Sequence, residues 1–123
     1  MYAFECNPDG IQECRLNNPG HIRLIEKAVS CSDDHIPFLS FDKEKYNNIG
    51  ASSMYEIDFV TSRSKNDGDY GKSDVQIKIQ VPSVRLDTFC LQEKVIPDVI
   101  FMDVQEAELE VLRSGFTILS EVK

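Results

Sequence analysis

The sequence predicts an α/β domain whose sheet is of the Rossmann type. Apolar runs typical of buried strands alternate along the chain with short helices, and an antiparallel insertion interrupts this alternation. With 123 residues, of which 41% are hydrophobic and 28% charged, the chain has the size and composition of one globular domain. A second domain, a disordered chain and a disulfide scaffold are therefore excluded.

The first third of the chain is predicted to form a strand, a helix and two more strands. Residues 1–4 are apolar or aromatic, which is typical of a buried strand. Asn7 can cap a helix, Pro8 suits its first turn and Asp9 complements its positive end. The predicted elements are a strand at 1–4, a helix at 8–17, a strand at 22–29 and a strand at 36–41.

The middle of the chain contains the predicted antiparallel insertion. Turn-forming residues fill 47–53, and the stretch 62–73 is almost free of apolar residues, so we expect a mobile hairpin tip there. The acids of this stretch lack the glutamate that would end a calcium loop, which favours the hairpin tip over a calcium site. Apolar and polar residues alternate over 75–81, which predicts a strand with one wet face, and Pro82 closes this strand or marks a sheet edge.

The last third of the chain is predicted to return to alternating helices and strands. A short helix is expected at 86–94, and the continuous apolar run 99–102 predicts a strand that is covered on both faces. The next helix is predicted at 105–114, with glutamates near its positive end and Gly115 as its stop.

The charge distribution disfavours binding to nucleic acids and to membrane surfaces. The chain has 21 acidic and 13 basic residues, a net charge of −8, and no basic stripe. No stretch has the features of a signal peptide or the length of a membrane span, so we expect a cytoplasmic protein with reduced, mostly packed cysteines. No metal site is predicted, because a polar turn explains Asp33, Asp34 and His35 better than metal ligation does.

Two acidic residues follow predicted strands, Glu5 after the first strand and Asp103 after the run 99–102. In sheets of this type, ligands bind beyond the carboxyl ends of the strands. A carboxylate at a strand end can accept hydrogen bonds from both hydroxyls of a ribose. Position alone leaves two explanations open for each residue, a ligand contact or a solvated acid.

Five motifs occur in the order and spacing of one known family. They are AFECNP at 3–8, KAVS at 27–30, GASS at 50–53, VRLDTF at 84–89 and DVQEAELEVL at 103–112. Together they extend over nearly the whole chain. On these motifs the chain resembles the FkbM family of S-adenosylmethionine-dependent methyltransferases.

The resemblance implies a class I methyltransferase fold with S-adenosylmethionine as cofactor. Glu5 matches the acid that holds the cofactor ribose, and Ala28 and Val29 match the region near the adenine. Asp103 matches the acid beside the transferred methyl group and is the first candidate for taking the acceptor's proton, with Glu108 as the second. Favourable charge at a helix N-terminus is the preferred explanation for Glu108. The implied reaction is methyl transfer to an oxygen of a small-molecule or sugar-like acceptor.

The chain departs from the family pattern in three places. Glu106 stands where the family usually has glycine, so a need for positive φ or for close approach of a ligand would make this residue costly. Cys6 replaces a common proline. The family's glycine-rich first strand, which turns under the methionine part of the cofactor, and its last strands have no counterpart in residues 1–123. We therefore expect residues 1–123 to form an incomplete methyltransferase domain that is inactive by itself.

Two alternatives remain open on the sequence. The first is a catalytically inactive methyltransferase-like protein with a binding or structural role, in which a second copy of the chain or a completing chain fills the gap in the sheet. The second is an unrelated small α+β interaction domain.

Overall fold

Residues 1–41, 52–55 and 76–121 are described by the computed structural model of the chain. They form a mixed α/β fold with two small sheets, which confirms the predicted class at that level. The elements are β1 (Tyr2–Phe4), α1 (Pro8–Asn17), β2 (Arg23–Ile25), β3 (Ala28–Val29), β4 (His35–Phe41), β5 (Gln76–Val84), α2 (Leu86–Glu93), α3 (Glu108–Ser114) and α4 (Phe116–Leu119). The predicted turn-rich stretch lies mostly outside the described residues, and the hairpin tip predicted at 62–73 lies wholly outside them.

The first sheet pairs two parallel strands, as expected for a strand–helix–strand unit. β1 lies parallel to β2, with Ala3 opposite Leu24, and α1 connects the two strands. The helix has the predicted bounds. Its N-cap is Asn7, whose side-chain oxygen accepts a hydrogen bond of 3.2 Å from the Asp9 N–H.

The prediction of a single strand at 22–29 is wrong, because the chain turns in the middle of this segment. The Lys27 N–H donates to the Ile25 carbonyl over 2.9 Å, which is the tight hydrogen bond of a three-residue turn. As a result, β2 joins β1 in the first sheet, whereas β3 joins β5 in the second. Glu26 and Lys27 thereby connect the two sheets.

The second sheet contains the predicted antiparallel insertion. Its strand order is β3-β5-β4, with β5 antiparallel to β4 and parallel to β3. β5 runs through Pro82 to Val84, so the proline does not close the strand. Because β3 pairs only with Ser83 and Val84, Pro82 has β4 as its one neighbour among the described strands, and a sheet tolerates proline at such a position.

The prediction of a strand at 99–102 is wrong. Val99 and Phe101 are 83% and 91% exposed, and none of the described strands pairs with this segment. A single apolar run cannot form a strand by itself, because its backbone then has no ladder partners. Ile100 still packs against the buried cluster of Val84, Leu86, Phe89 and Cys90, and this contact anchors the segment to the fold.

The last predicted helix begins at Glu108 rather than at Gln105. Gln105 and Glu106 have φ values of 49° and 73°, in the left-handed region, and therefore cannot belong to a right-handed helix. Its end is as predicted: α3 stops at Ser114 with Gly115 as its C-cap, and the short α4 begins directly after this glycine. A Cβ on Gly115 would lie 2.6 Å from Leu86 Cδ2, so the missing side chain lets the corner between α3 and α4 pack on α2.

Two clusters of buried side chains form the core. The first consists of Val84, Leu86, Phe89 and Cys90, and the second of Ile36, Phe38 and Val81. In the first cluster, the rings of Tyr2 and Phe4 meet the ring of Phe89 edge to face, with centroids 5.2 and 4.8 Å away. No helix in the described part of the chain is long and apolar enough to cross a bilayer.

Candidate functional site

A cavity of about 370 Å³ lies where the end of β1, the start of α1, β3 and β4 meet the segment 103–107. Four of the five predicted site residues line it: Glu5, Ala28, Val29 and Asp103. These residues are far apart in sequence, so the fold brings them together. Small-molecule sites in proteins have volumes of about 300–1,000 Å³, and the cavity falls within that range.

The backbone that follows Glu5 holds its carboxylate in place. Glu5 Oε1 accepts hydrogen bonds of 2.8 Å from the N–H groups of both Cys6 and Asn7. A Cβ on Gly10 would lie 2.7 Å from Glu5 Cδ and Oε2, so the bare backbone of this glycine leaves room for the carboxylate. Glu5 therefore presents an oriented hydrogen-bond acceptor at the cavity wall.

One wall of the cavity is apolar. Ala28 and Val29 of β3, Ile36 and Phe38 of β4, and Met54 contribute to it. Ile36 and Phe38 are only 9% and 8% exposed, and Ala28 and Met54 pack against the same cluster. Such a wall suits contact with a flat, weakly polar ring.

Another wall of the cavity is a turn that contains Asp103, Val104 and Gln105. Asp103 is exposed, and its Oδ1 accepts a hydrogen bond of 3.2 Å from Gln105 Nε2. The Ala107 N–H donates to the Val104 carbonyl over 3.2 Å and closes the turn. Gln105 was not predicted as a site residue, although it lies in the motif that led to Asp103.

Glu108, the fifth predicted site residue, does not line the cavity. It is half-buried in the first turn of α3, and this turn also contains the acidic Glu110. Negative charge at this end of a helix is stabilising, which agrees with the structural explanation for Glu108. Its role in proton transfer stays an untested prediction.

The segment 52–55 completes the cavity and ties separate elements together. Ser53 and Leu39 of β4 exchange two backbone hydrogen bonds, of 2.7 and 3.1 Å. Ser52 lines the cavity, and its Oγ accepts a hydrogen bond of 3.2 Å from Asn7 Nδ2. The sequence marked this segment by the turn-forming stretch 47–53 and by the motif GASS, and neither signal implied a role for either serine.

The partly buried thiol of Cys6 also lines the cavity. Burial, and after it the negative charge of Glu5, raises the pKa of Cys6 to about 12. At neutral pH the thiol is therefore protonated and is a poor nucleophile. All four cysteines are free, as expected, but Cys31 is exposed rather than packed.

Asp33 has a structural role at the start of α2. Its carboxylate accepts hydrogen bonds of 2.7 Å from the Arg85 N–H and 2.8 Å from Thr88 Oγ1. The backbone hydrogen bond from Arg85 is the main cause that lowers the pKa of Asp33. Within residues 1–41, 52–55 and 76–121, no three His, Cys, Asp or Glu side chains are grouped so as to hold a metal ion.

Comparison with known proteins agrees with the resemblance that the motifs indicate. The family model described as the methyltransferase FkbM domain matches residues 1–123, which is the whole chain. Comparisons with curated proteins and with solved structures gave no match. The alternative of an unrelated α+β interaction domain is therefore wrong. The chain is a methyltransferase domain and belongs to the FkbM family.

Proposed function

We propose that the domain is an S-adenosylmethionine-dependent methyltransferase that methylates an oxygen of a small-molecule or sugar-like acceptor. The observation that supports this most is the shared cavity, which Glu5, Ala28, Val29 and Asp103 all line. In the family pattern these positions belong to the ribose, adenine and methyl ends of one ligand. A single cavity that reaches all of them is what one extended ligand requires.

The nucleoside end of the cofactor fits the residues that are present. Backbone amides occupy one carboxylate oxygen of Glu5, which orients the group to accept hydrogen bonds from ribose hydroxyls. Ala28 and Val29 provide apolar contact for the adenine. The room beside Gly10 lets Glu5 keep this orientation.

The charge of the cavity suits a cationic ligand. The charged lining residues are Glu5, Glu13, Asp103 and Lys27, so acids outnumber bases. A negative lining attracts positive charge, and S-adenosylmethionine has a positive sulfonium where its neutral product has a thioether. The lining therefore favours the methyl donor over the product.

The chemistry that this site has to support is simple. S-adenosylmethionine supplies a methyl group that is activated on positively charged sulfur. The protein aligns the acceptor oxygen with this group and excludes water, to which the apolar wall of Phe38 and Met54 contributes. Asp103 lines the cavity and would accept the proton that the acceptor hydroxyl gives up when it takes the methyl group.

Calorimetric titration of S-adenosylmethionine tests the proposal. We titrate this chain and a longer version that adds the glycine-rich first strand of the family, and we expect the longer version to bind more tightly. The reason is that Gly10 is the one glycine among the described residues that line the cavity, so these residues supply no glycine-rich turn for the methionine part. No binding by the longer version would contradict the proposal.

Substitution of Glu5 tests the ribose contact directly. Glu5→Gln removes the charge and one acceptor, and hydrogen bonds to charged groups are strong enough that affinity should fall about 10- to 100-fold. Glu26→Gln is the matched control, because Glu26 pairs with Arg15 and lies outside the cavity lining. Equal affinity of the two variants would refute the role of Glu5.

A catalytically inactive descendant is the second candidate, and Glu106 is the observation that favours it. Glu106 has a φ of 73°, which lies in the left-handed region that the family's glycine can adopt without strain. Product formation from S-adenosylmethionine with a panel of hydroxylated acceptors separates the two functions. Turnover by the unsubstituted protein supports the enzyme, whereas turnover that appears only with Glu106→Gly, or binding without turnover in both forms, supports the inactive protein.

A further inference from the structure

The turn at residues 104–107 has a backbone that its own sequence disfavours. Gln105 and Glu106 are consecutive non-glycine residues with φ of 49° and 73°. L-amino acids with side chains rarely adopt this left-handed region, and such conformations persist where the surroundings restrain them. Something outside the turn must therefore hold it.

The hydroxyl of Ser53 contacts this turn from outside it. Ser53 Oγ donates a hydrogen bond of 2.7 Å to the carbonyl of Gln105, the first of the two left-handed residues. The same Oγ accepts a hydrogen bond of 3.3 Å from the Tyr55 N–H, so its own hydrogen is free to point at Gln105. Ser53 is 7% exposed, and its backbone is fixed to Leu39 of β4, which makes the donor rigid.

The same turn positions the residues at the predicted methyl end of the site. The side chain of Gln105 donates to Asp103, and both residues line the cavity. Ser53 itself does not line the cavity. Of the two hydrogen-bond partners of its hydroxyl, Gln105 and Tyr55, Gln105 alone lines the cavity, so the hydroxyl can act on a ligand through the turn.

We propose that Ser53 is a positioning residue that holds the 104–107 turn in its left-handed conformation and so orients Gln105 and Asp103 toward the ligand. This inference deepens the proposed function and rests on it for the ligand measurements. The claim that Ser53 holds the turn rests on the Ser53–Gln105 hydrogen bond alone and is tested without a ligand.

Hydrogen exchange of the Ala107 amide measures the turn, because this N–H closes it onto Val104. Ser53→Ala should increase the exchange rate of this amide about three- to tenfold, the effect of one lost hydrogen bond. Ser53→Thr keeps the hydroxyl and should keep the rate. Ser83→Ala is the matched control, since the buried Ser83 also donates to a distant carbonyl, that of Ser32, away from this turn.

A second substitution tests whether backbone strain is what Ser53 restrains. Glu106→Gly removes the conformational penalty at one of the two left-handed residues. In the Glu106→Gly background, Ser53→Ala should therefore change the exchange rate of the Ala107 amide much less than in the wild type. An equal effect of Ser53→Ala in both backgrounds would show that strain is not involved and would overturn the inference.

Two ligands distinguish positioning from general damage. Under the proposed function, S-adenosylhomocysteine would reach both ends of the site, whereas adenosine would contact the Glu5 end alone. Measured in the form of the protein that binds S-adenosylmethionine, Ser53→Ala should weaken S-adenosylhomocysteine about tenfold and leave adenosine unchanged. Equal losses for both ligands, or no loss for either, would overturn the positioning role.

The two proposals fail in different ways. If no form of the protein binds S-adenosylmethionine or adenosine, the proposed function is wrong, and the exchange of the Ala107 amide still decides whether Ser53 holds the turn. If the ligands bind but Ser53→Ala exchanges like the wild type, the proposed function stands and the role of Ser53 is refuted.

Discussion

Glu106 occupies a backbone conformation that glycine adopts more easily than any other residue. The family pattern has glycine at this position, and the sequence predicts that a glutamate there is costly if φ is positive. In the structure, the φ of Glu106 is 73°, so the condition of a positive φ is met. The neighbouring Gln105 has φ of 49°, which nothing in the sequence predicted, because glutamine is common in helices and the motif has glutamine or glutamate at this place.

Replacing Glu106 by glycine should stabilise the protein. A left-handed residue with a side chain costs about 1–2 kcal/mol, and the greater freedom of glycine in the unfolded chain offsets part of this gain. We expect the free energy of unfolding in urea to rise by about 0.5–1 kcal/mol. Glu108→Gly is the control, because in helix α3 the same change should lower stability by about 1 kcal/mol. A loss of stability in both variants would contradict the strain at Glu106.

Among the elements, α4 depends on a side chain from another helix. Its N-cap, Gly115, has no side chain, and the carboxylate of Asp87 in α2 takes over the capping role. Asp87 Oδ1 accepts a hydrogen bond of 2.8 Å from the Ile118 N–H, and Oδ2 accepts one of 3.2 Å from the Thr117 N–H. This gives the aspartate of the VRLDTF motif a structural role that the resemblance did not assign.

Removing the carboxylate of Asp87 should destabilise the protein. Asp87→Ala leaves two backbone donors of α4 without their acceptor, which costs about 1–2 kcal/mol in the free energy of unfolding at pH 7. The exposed Asp98→Ala should change the stability by less than about 0.5 kcal/mol and is the control. Similar effects of both substitutions would disprove the capping role.

The same contact predicts how this stability depends on pH. Burial raises the pKa of Asp87, but the hydrogen bonds from Ile118 and Thr117 outweigh it and lower the pKa below the ordinary 3.8. A carboxyl with a lowered pKa stabilises the folded state above its unfolded pKa and loses this effect as the pH falls through the folded value. The difference in unfolding free energy between wild type and Asp87→Ala should therefore shrink below about pH 4. A constant difference from pH 7 to pH 3 would contradict this.

Elements defined by local chemistry were predicted well, and those that depend on distant partners were not. The bounds of α1 follow from Asn7 and Pro8, which act within one turn of the helix, and they are correct. The strand at 99–102 is wrong because its apolar composition shows a tendency to be buried but not which strand would pair with it. The turn at Lys27 was missed for a similar reason, since β2 and β3 separate only because each has a partner in a different sheet.

For the molecule as a whole, the segment 99–102 leaves large apolar side chains on the surface. Val99 and Phe101 are 83% and 91% exposed, and Ile96 nearby is 60% exposed. Exposed apolar groups of this size promote association between molecules. Glu5 and Asp103, which their positions after apolar runs singled out and the family resemblance assigned to the site, do line one cavity, although only the first of these runs is a strand.

Phe101→Ser should reduce aggregation with little change in stability. The ring is already solvated, so its removal should alter the free energy of unfolding by less than about 0.5 kcal/mol. Light scattering over a series of protein concentrations should show a higher onset of aggregation. Phe89→Ser is the comparison, because this ring is 6% exposed and its loss should cost about 3–5 kcal/mol. A large loss of stability in Phe101→Ser would mean that the ring is covered in solution.

The turn at Lys27 divides the cavity between two sheets. Glu5 follows β1 of the first sheet, whereas Val29 and Phe38 belong to strands of the second. Without a ligand, Glu26 and Lys27 are the covalent joint between these sheets, and each sheet is small by itself. A molecule bound in the cavity contacts both, and because it binds the folded form of each, it couples their unfolding equilibria. Because Tyr2, Phe4 and Ile25 of the first sheet already pack in one core cluster with Val84 of the second, ligand occupancy would strengthen a coupling between the sheets that the core provides.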